Sequence, residues 1–149
     1  MIYRVLILFL LSGLFVVSCG QNTAVPNDFG KEVVTEYYPD SVKKVSLRYS
    51  ESDTSFVLQT KYYHSGAKYW QGVLHHGLRQ GKWTAWGEKG QVLTTGNYDK
   101  GVQQGLKIVY FDNGKKRYEG MFENDKRVGV WKFWTSDGKL AKEIDYDKR

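Results

Sequence analysis

The stretch that decides the fold is residues 108–131, which read IVYFDNGKKRYEGMFENDKRVGVW. Its first four residues, Ile108 to Phe111, are β-branched or aromatic and typical of a strand. Asn113-Gly114 follows, and this pair indicates a hairpin because both residues tolerate the positive φ of a tight turn. Residues 117–123 then alternate polar with apolar or small side chains, and a second turn follows at residues 124–127. The stretch predicts two strands and two turns.

The same residue types return every 24 positions along the chain. A fixed period of this length indicates a repeat architecture, in which one short unit cannot bury its own apolar face and stacks on its neighbours. The units in register are residues 38–61, 62–85, 86–109, 110–133 and the half unit 134–149. The first unit is degenerate, with Val42 at the position of the turn glycine. The recurring positions are the turn glycines Gly66, Gly90, Gly114 and Gly138, a second glycine series at Gly81, Gly105 and Gly129, and the aromatic series Tyr38, Tyr62, Trp86, Tyr110 and Trp134.

These repeats predict an all-β fold, an elongated, single-layered antiparallel meander of about 4.5 β-hairpin units over residues 37–149. The pattern Tyr110-x-x-x-Gly114-Lys115, then Tyr118-x-Gly120-x-Phe122, then Gly129-x-Trp131 resembles the MORN repeat, in the variant found in YwqK-type antitoxin-like proteins. The resemblance covers about residues 38–149 and implies a twisted sheet that acts as an interaction module. The sequence departs from the pattern at residues 46–56, which lack the expected glycines.

The first 18 residues have the features of a secretory leader. Arg4 precedes an apolar run from Val5 to Leu11, which is too short to cross a bilayer of about 30 Å comfortably, since that requires about 20 residues. The segment Val16-Val17-Ser18-Cys19 resembles the bacterial lipobox, whose cysteine is acylated and becomes the first residue of the mature protein. We therefore expect a signal peptide over residues 1–18 and a lipidated N-terminus and flexible tether over residues 19–36.

Cys19 is the only cysteine, so the chain cannot form an intramolecular disulfide. Lipidation explains a cysteine without a partner in an exported protein, and two or more acyl chains hold a protein firmly at a membrane. The alternative is that Cys19 is an unused thiol at the edge of an ordinary signal peptide. The first interpretation predicts a palmitate-bearing, membrane-anchored lipoprotein of the bacterial cell envelope, at the outer membrane and on its periplasmic or surface face.

The charge pattern argues against nucleic acid as a partner. Of 22 basic and 16 acidic residues, loss of the leader removes only Arg4, so the mature net charge falls from +6 to +5. The charges are mixed along the chain, as in Lys115-Lys116-Arg117-Tyr118-Glu119, without a long block of one sign. Such a pattern is typical of a solvated surface.

The chain has 23 aromatic residues, and many of them occupy repeat positions. One interpretation is that they form cross-strand ladders that hold a thin sheet together, with strand glycines leaving room for a neighbour's ring. The other is that part of the ladder is an exposed platform for sugar rings or a peptide. The aromatics considered for either role are Trp83, Trp86, Trp131 and Trp134, and the strand glycines are Gly72, Gly96 and Gly120.

Catalytic, cofactor and metal signals are weak in this sequence. His64 and the pair His75-His76 fall in expected hairpin turns, and no two histidines have the spacing of a metal site on one face. The spacing of Gly72 and Gly77 mimics the start of a phosphate loop, but Leu78-Arg79 stands where Lys-Ser or Lys-Thr is required. We expect no enzymatic activity, no cofactor and no bound metal.

The sequence thus favours a non-catalytic envelope lipoprotein whose repeat sheet is a binding or scaffold module for a protein or cell-wall glycan partner. The alternative, suggested by the family resemblance, is an antitoxin that neutralises a toxin by direct binding. An exported protein meets a toxin only if the toxin is exported as well.

Overall fold

The computed structural model describes residues 24–148, and the regular structure there is entirely β. Eleven strands form one open antiparallel sheet in which successive strands pair, except that the short β7 pairs only with β6, whose next neighbour in the sheet is β8. No helix within these residues has the length and hydropathy needed to span a membrane. The prediction of an all-β meander of hairpins is confirmed. The strands are β1 (Val33–Tyr37), β2 (Lys43–Tyr49), β3 (Phe56–Tyr62), β4 (Lys68–His75), β5 (Leu78–Trp86), β6 (Val92–Asp99), β7 (Val102–Gln103), β8 (Gly105–Tyr110), β9 (Lys116–Glu123), β10 (Lys126–Trp134) and β11 (Leu140–Asp145).

Two kinds of turn alternate along the sheet. In the first kind a glycine has positive φ, which is 79° at Gly114 and 93° at Gly138. In the second kind two consecutive residues have positive φ, as at Asn124 (50°) and Asp125 (63°), which is the geometry of a two-residue hairpin turn. The turn positions read from the repeat are confirmed. The remaining members are Gly66 and Gly90 for the first kind, and His76-Gly77 and Lys100-Gly101 for the second.

The first turn of the array departs from the 24-residue register. Its backbone hydrogen bond runs from Tyr38 N to Val42 O at 2.8 Å, and the equivalent bond in the next unit runs from Tyr63 N to Ala67 O. The offset between these turns is therefore one residue longer than the repeat, and Ser41, at φ 67°, occupies the place of the turn glycine. The sequence alignment that put Val42 there was wrong by one position, because a constant period cannot reveal an inserted residue.

The flexible tether expected over residues 19–36 does not extend that far. Residues Val33–Tyr37 form β1, which pairs antiparallel with β2 at the edge of the sheet. Ahead of it, Phe29 makes a β-bridge with Ser50, and the Ser50 hydroxyl donates to Asp28 Oδ1 at 2.6 Å. The polar composition suggested flexibility, but these polar groups make hydrogen bonds to the loop between β2 and β3. Residues 1–23, with the predicted leader and Cys19, lie outside the described part of the chain.

Candidate functional site

Two strand glycines lie directly beneath two tryptophans. A Cβ added to Gly72 would stand 2.1 Å from Cδ2 of Trp83, and one added to Gly120 would stand 2.1 Å from Cδ2 of Trp131. Because real Cβ atoms do not approach other atoms so closely, only glycine permits the indole to lie flat on the backbone there. Trp83 is 6% exposed and Trp131 is fully buried. The prediction that these glycines leave room for a neighbour's ring is confirmed at both positions.

Each of these indoles is the centre of a three-residue stack. In the C-terminal stack the guanidinium carbon of Arg127 lies 4.5 Å from the Trp131 ring centre and 5.4 Å from that of Tyr146. The same guanidinium donates to the Tyr146 hydroxyl at 2.7 Å, and the indole Nε1 of Trp131 donates to the Met121 carbonyl at 3.2 Å. The Arg127 guanidinium therefore lies against both the Trp131 and the Tyr146 ring.

The N-terminal stack repeats this arrangement two units earlier. The guanidinium carbon of Arg79 lies 4.8 Å from the Trp83 ring centre and 5.1 Å from that of Tyr98, and it donates to the Tyr98 hydroxyl at 3.2 Å. Trp70 adds a further ring, with its centre 4.9 Å from that of Trp83. The two stacks lie on one face of the sheet, called here the ladder face.

The unit between the two stacks has no such arrangement. At the positions of the arginine and the tryptophan it carries Gln103 and Lys107, and Phe122 replaces the tyrosine. Lys107 lies on the ladder face, because it pairs with Gly120 across β8 and β9. A Cβ added to Gly96, the glycine of this unit, would meet only Lys107 Cδ at 3.2 Å and Nζ at 3.7 Å and Gln103 Nε2 at 3.4 Å. The flexible side chain of Lys107 thus lies where the two neighbouring units have a rigid indole.

A cavity of about 230 Å³ opens on the ladder face beside Lys107. Aromatic rings and two cationic side chains, those of Arg79 and Lys107, line it. A second, wider concavity of about 400 Å³ adjoins it, since Thr94 and Lys107 line both. The aromatic and small residues of the first cavity are Tyr69, Trp70, Trp83, Ala85, Gly96 and Tyr98.

The charge of Lys107 is uncompensated. Burial, and after it the positive charge of Arg79, lowers the pKa of Lys107 below its ordinary value. The lining of the first cavity contains no carboxylate, and within residues 24–148 no salt bridge involves either cation. The site is therefore electropositive and suited to an anion.

The four tryptophans considered from the sequence fall into two pairs. Trp83 and Trp131 belong to the buried stacks described above. Trp86 and Trp134 are half-buried near the turns, where the ammonium groups of Lys68 and Lys116 each lie 5.7 Å from the ring centre. The ladder interpretation therefore fits this pair less fully than it fits Trp83 and Trp131, because one side of each ring contacts a solvated lysine rather than core.

The histidines occupy the turns that the sequence predicts. His64 is exposed and its Nε2 lies 2.8 Å from Asp40 Oδ2. His75 stacks on Phe56 with the ring centres 4.0 Å apart, and His76 is one of the two positive-φ turn residues. Within residues 24–148, no three His, Cys, Asp or Glu side chains are grouped closely enough to hold a metal ion. The absence of a metal, a cofactor and enzymatic activity remains a prediction.

The two cationic residues of the cavity were missed by sequence reasoning, whereas Trp83 and Gly96, which also line it, were considered. Arg79 was considered only as a mismatch to a phosphate loop, and Lys107 was not singled out. A usable signal was present, because the 24-residue register places Gln59, Trp83, Lys107 and Trp131 at equivalent positions. Two of these residues are not tryptophan, and of the two only Lys107 has a glycine, Gly96, at the position where the tryptophans have Gly72 and Gly120.

Two segments of the chain match the family model described as the MORN repeat variant, at residues 103–124 and 127–148. Equivalent positions of the two segments are 24 residues apart, as the period requires. These segments contain β8 to β11 and the C-terminal stack, so the resemblance stated from the sequence is supported for MORN repeats over that part of the chain. The search of curated proteins found no significant match.

Proposed function

We propose that the chain is a non-catalytic binding module whose repeat sheet holds a protein or cell-wall partner at the bacterial cell envelope. The observation that carries the proposal is the ladder face, where the unit between two aromatic stacks contributes Lys107 to an electropositive cavity. A single-layered sheet leaves both faces accessible, and rigid aromatic and arginine side chains are the ones that contribute most at binding surfaces. MORN repeats provide the scaffold in this proposal.

The envelope location in this proposal depends on Cys19 and the lipobox-like segment ahead of it. Lipid on Cys19 would attach the chain to a membrane. Asp28 and Phe29 already contact Ser50, which follows β2. In this proposal the linker between the lipid and the sheet therefore has fewer residues than the sequence suggested. The sheet would then act close to the membrane that holds it.

Site-specific photocrosslinking in the native membrane tests the proposal. Benzoylphenylalanine is introduced at Tyr69, which lines the cavity and is 44% exposed, and the crosslinked product is identified by mass spectrometry. The matched control places the same probe at Met121, which is 46% exposed and, as the neighbour of Gly120 in β9, faces away from the ladder face.

A discrete adduct from position 69 and none from position 121 supports a binding role for the ladder face. If neither position gives an adduct in native membranes, the proposal of a binding module is wrong. If the adduct from position 69 contains an exported toxin, the antitoxin alternative replaces the general scaffold. Conversion of a substrate by the purified chain would refute the non-catalytic assignment.

A further inference from the structure

The central unit gives up a stabilising arrangement that both of its neighbours retain. An indole at position 107 would lie over Gly96 as Trp83 lies over Gly72, and the glycine is present to receive it. Lys107 fills the space only with its flexible stem, and burial disfavours its charge. A half-buried cation without a carboxylate partner is less favourable than a fully solvated one. Such a group is explained if a bound anion supplies the missing charge.

Two buried donors near the cavity also lack acceptors. Within residues 24–148, Gln103 Nε2 and Trp83 Nε1 are buried without a hydrogen-bond partner. The equivalent atom of the C-terminal stack, Trp131 Nε1, does have a partner, the Met121 carbonyl. Gln103 Nε2 is not part of the cavity lining but lies 3.4 Å from the position of a Cβ on Gly96, which does line it. Unpaired buried donors are rare in folded proteins, and a ligand rich in acceptor oxygens beside Gly96 and Trp83 would offer such donors a partner.

The walls of the cavity select a ring rather than a bare anion. Tyr69, Trp70 and Tyr98 provide apolar surface beside the two cations. A pyranose ring presents a C–H face to such aromatic surfaces and a rim of hydroxyls to polar groups. A cavity of about 230 Å³ is small beside the pockets of larger ligands, of about 300–1,000 Å³, and suits a single ring.

The position of the cavity in the sheet argues against an extended peptide. It lies over β4, β5, β6 and β8, all of which are paired on both sides. An extended peptide gains much of its affinity by adding a strand to a free edge, and no edge is available at this site. A polymer that lies across the ladder face and inserts one residue into the cavity does not need hydrogen bonds from the strand backbone.

From these observations we infer that the cavity between the two stacks binds a carboxylate-bearing sugar residue of an anionic glycan. Lys107 and Arg79 bind the carboxylate, and the exposed Tyr69 and half-buried Trp70 rings pack against the sugar. The adjoining concavity, which Lys107 also lines and which contains Arg117, Tyr118 and the carboxylate of Asp112, receives the next residue of the polymer. The inference rests on the proposed binding function and names its partner class.

Calorimetric titration of the purified full-length chain tests this site. The probes are a galacturonic acid trimer and the disaccharide of N-acetylglucosamine and N-acetylmuramic acid, each compared with its carboxyl-reduced form. We expect at least one acidic probe to bind and its reduced form to bind about tenfold or more weakly, since a hydrogen-bonded charge is lost. Triglutamate and inorganic phosphate are titrated as competing anion classes.

The decisive variant is Lys107→Trp, which restores the indole of the neighbouring units over Gly96 and fills the cavity. It should abolish binding while the melting temperature stays equal to or above that of the wild type. Lys107→Met keeps the aliphatic stem and should weaken binding about tenfold or more. The matched control is Lys82→Met, because Lys82 is exposed on β5 next to Trp83 and points to the opposite face.

Several outcomes would overturn the inference. The inference is wrong if neither acidic sugar binds to the wild type. It is also wrong if Lys107→Trp binds the acidic sugars as tightly as the wild type does, or if the wild type binds the reduced sugars as tightly as the acidic ones. Tighter binding of triglutamate or phosphate than of both sugars would assign the cavity to a different ligand class. If the sugars fail while position 69 still forms a crosslink in membranes, only the glycan site is lost and the binding module remains.

Discussion

Replacement of Gly120 by alanine should destabilise the protein far more than the same change at Gly96. The added Cβ of Gly120→Ala would lie 2.1–2.4 Å from three ring atoms of Trp131, whereas ordinary contacts are 3.4–4 Å. The indole must therefore move by more than 1 Å or leave its place. Trp131 is fully buried among Arg127 and Tyr146, so it has no free space to move into.

The magnitude follows from the two ways in which the structure can respond. Expulsion of the indole costs about as much as a Trp→Ala change in a core, about 3–5 kcal/mol, and retention with strain costs about 1–3 kcal/mol. The loss of glycine flexibility in the unfolded chain returns about 0.4–1 kcal/mol. We expect a net loss in the free energy of unfolding of about 2–5 kcal/mol if the indole is expelled and of up to about 3 kcal/mol if it stays under strain. Gly96→Ala meets only flexible side-chain ends and should change it by less than about 0.5 kcal/mol.

Urea denaturation followed by far-ultraviolet circular dichroism measures both variants. A double-mutant cycle isolates the contact, because in the Trp131→Ala background Gly120→Ala has no ring to displace and should cost almost nothing more. Equal urea midpoints for Gly120→Ala and Gly96→Ala would refute the flat packing of the indole on the glycine. Full additivity in the cycle would do so as well.

Four other changes test separate parts of the structure. Gly114→Val should cost about 1–2 kcal/mol from backbone strain alone, since φ is 79° and no atom lies within 4 Å of its Cβ position; an unchanged melting temperature would exclude the turn. Trp131→Ala should cost about 3–5 kcal/mol and Trp134→Ala only about 1–2 kcal/mol, because the second ring is half exposed; equal urea midpoints would contradict this. Ser46, Tyr62 and Lys43 lower the pKa of Glu32 from 4.5 to about 2, so its stabilising charge is present above pH 4.5 and lost as pH falls toward 2. Acid titration of stability should show that loss in the wild type and a smaller one in Glu32→Gln. Cys19→Ala should abolish palmitate labelling and membrane retention, and unchanged fractionation would refute the lipid anchor.

Local rules predicted the repeated parts of this fold. Gly114 and Gly138 could be assigned to turns because positive φ excludes most other residues, and Gly120 could be assigned to ring packing because only a missing side chain leaves that space. Both requirements are properties of single positions and can be read without knowing the neighbours. The regular period then extends them to the whole sheet.

The unpredicted features depend on contacts between distant residues. Ser41 has a positive φ that its residue type does not predict. Asp28 orders the end of the expected tether through hydrogen bonds to a loop more than 20 residues away. The cavity beside Lys107 is hard to read from the sequence for a similar reason, because its walls combine residues of two successive units. The residue types that recur are those that each unit needs for packing. The candidate site lies where one unit differs from its two neighbours.

The place of the interruption follows from how a repeat array is stabilised. Each unit contacts only its neighbours, so the loss of a stack weakens the array locally. In the central unit, β6 and β8 are paired to each other and to a strand on their outer sides, and the two complete stacks lie on either side. Near an end, the sheet would depend on the stack because one edge strand has no outer neighbour. The central position is thus where an indole can be exchanged for a lysine at the smallest cost, and where a ligand can contact rigid aromatic rings on one side and a cation on the other.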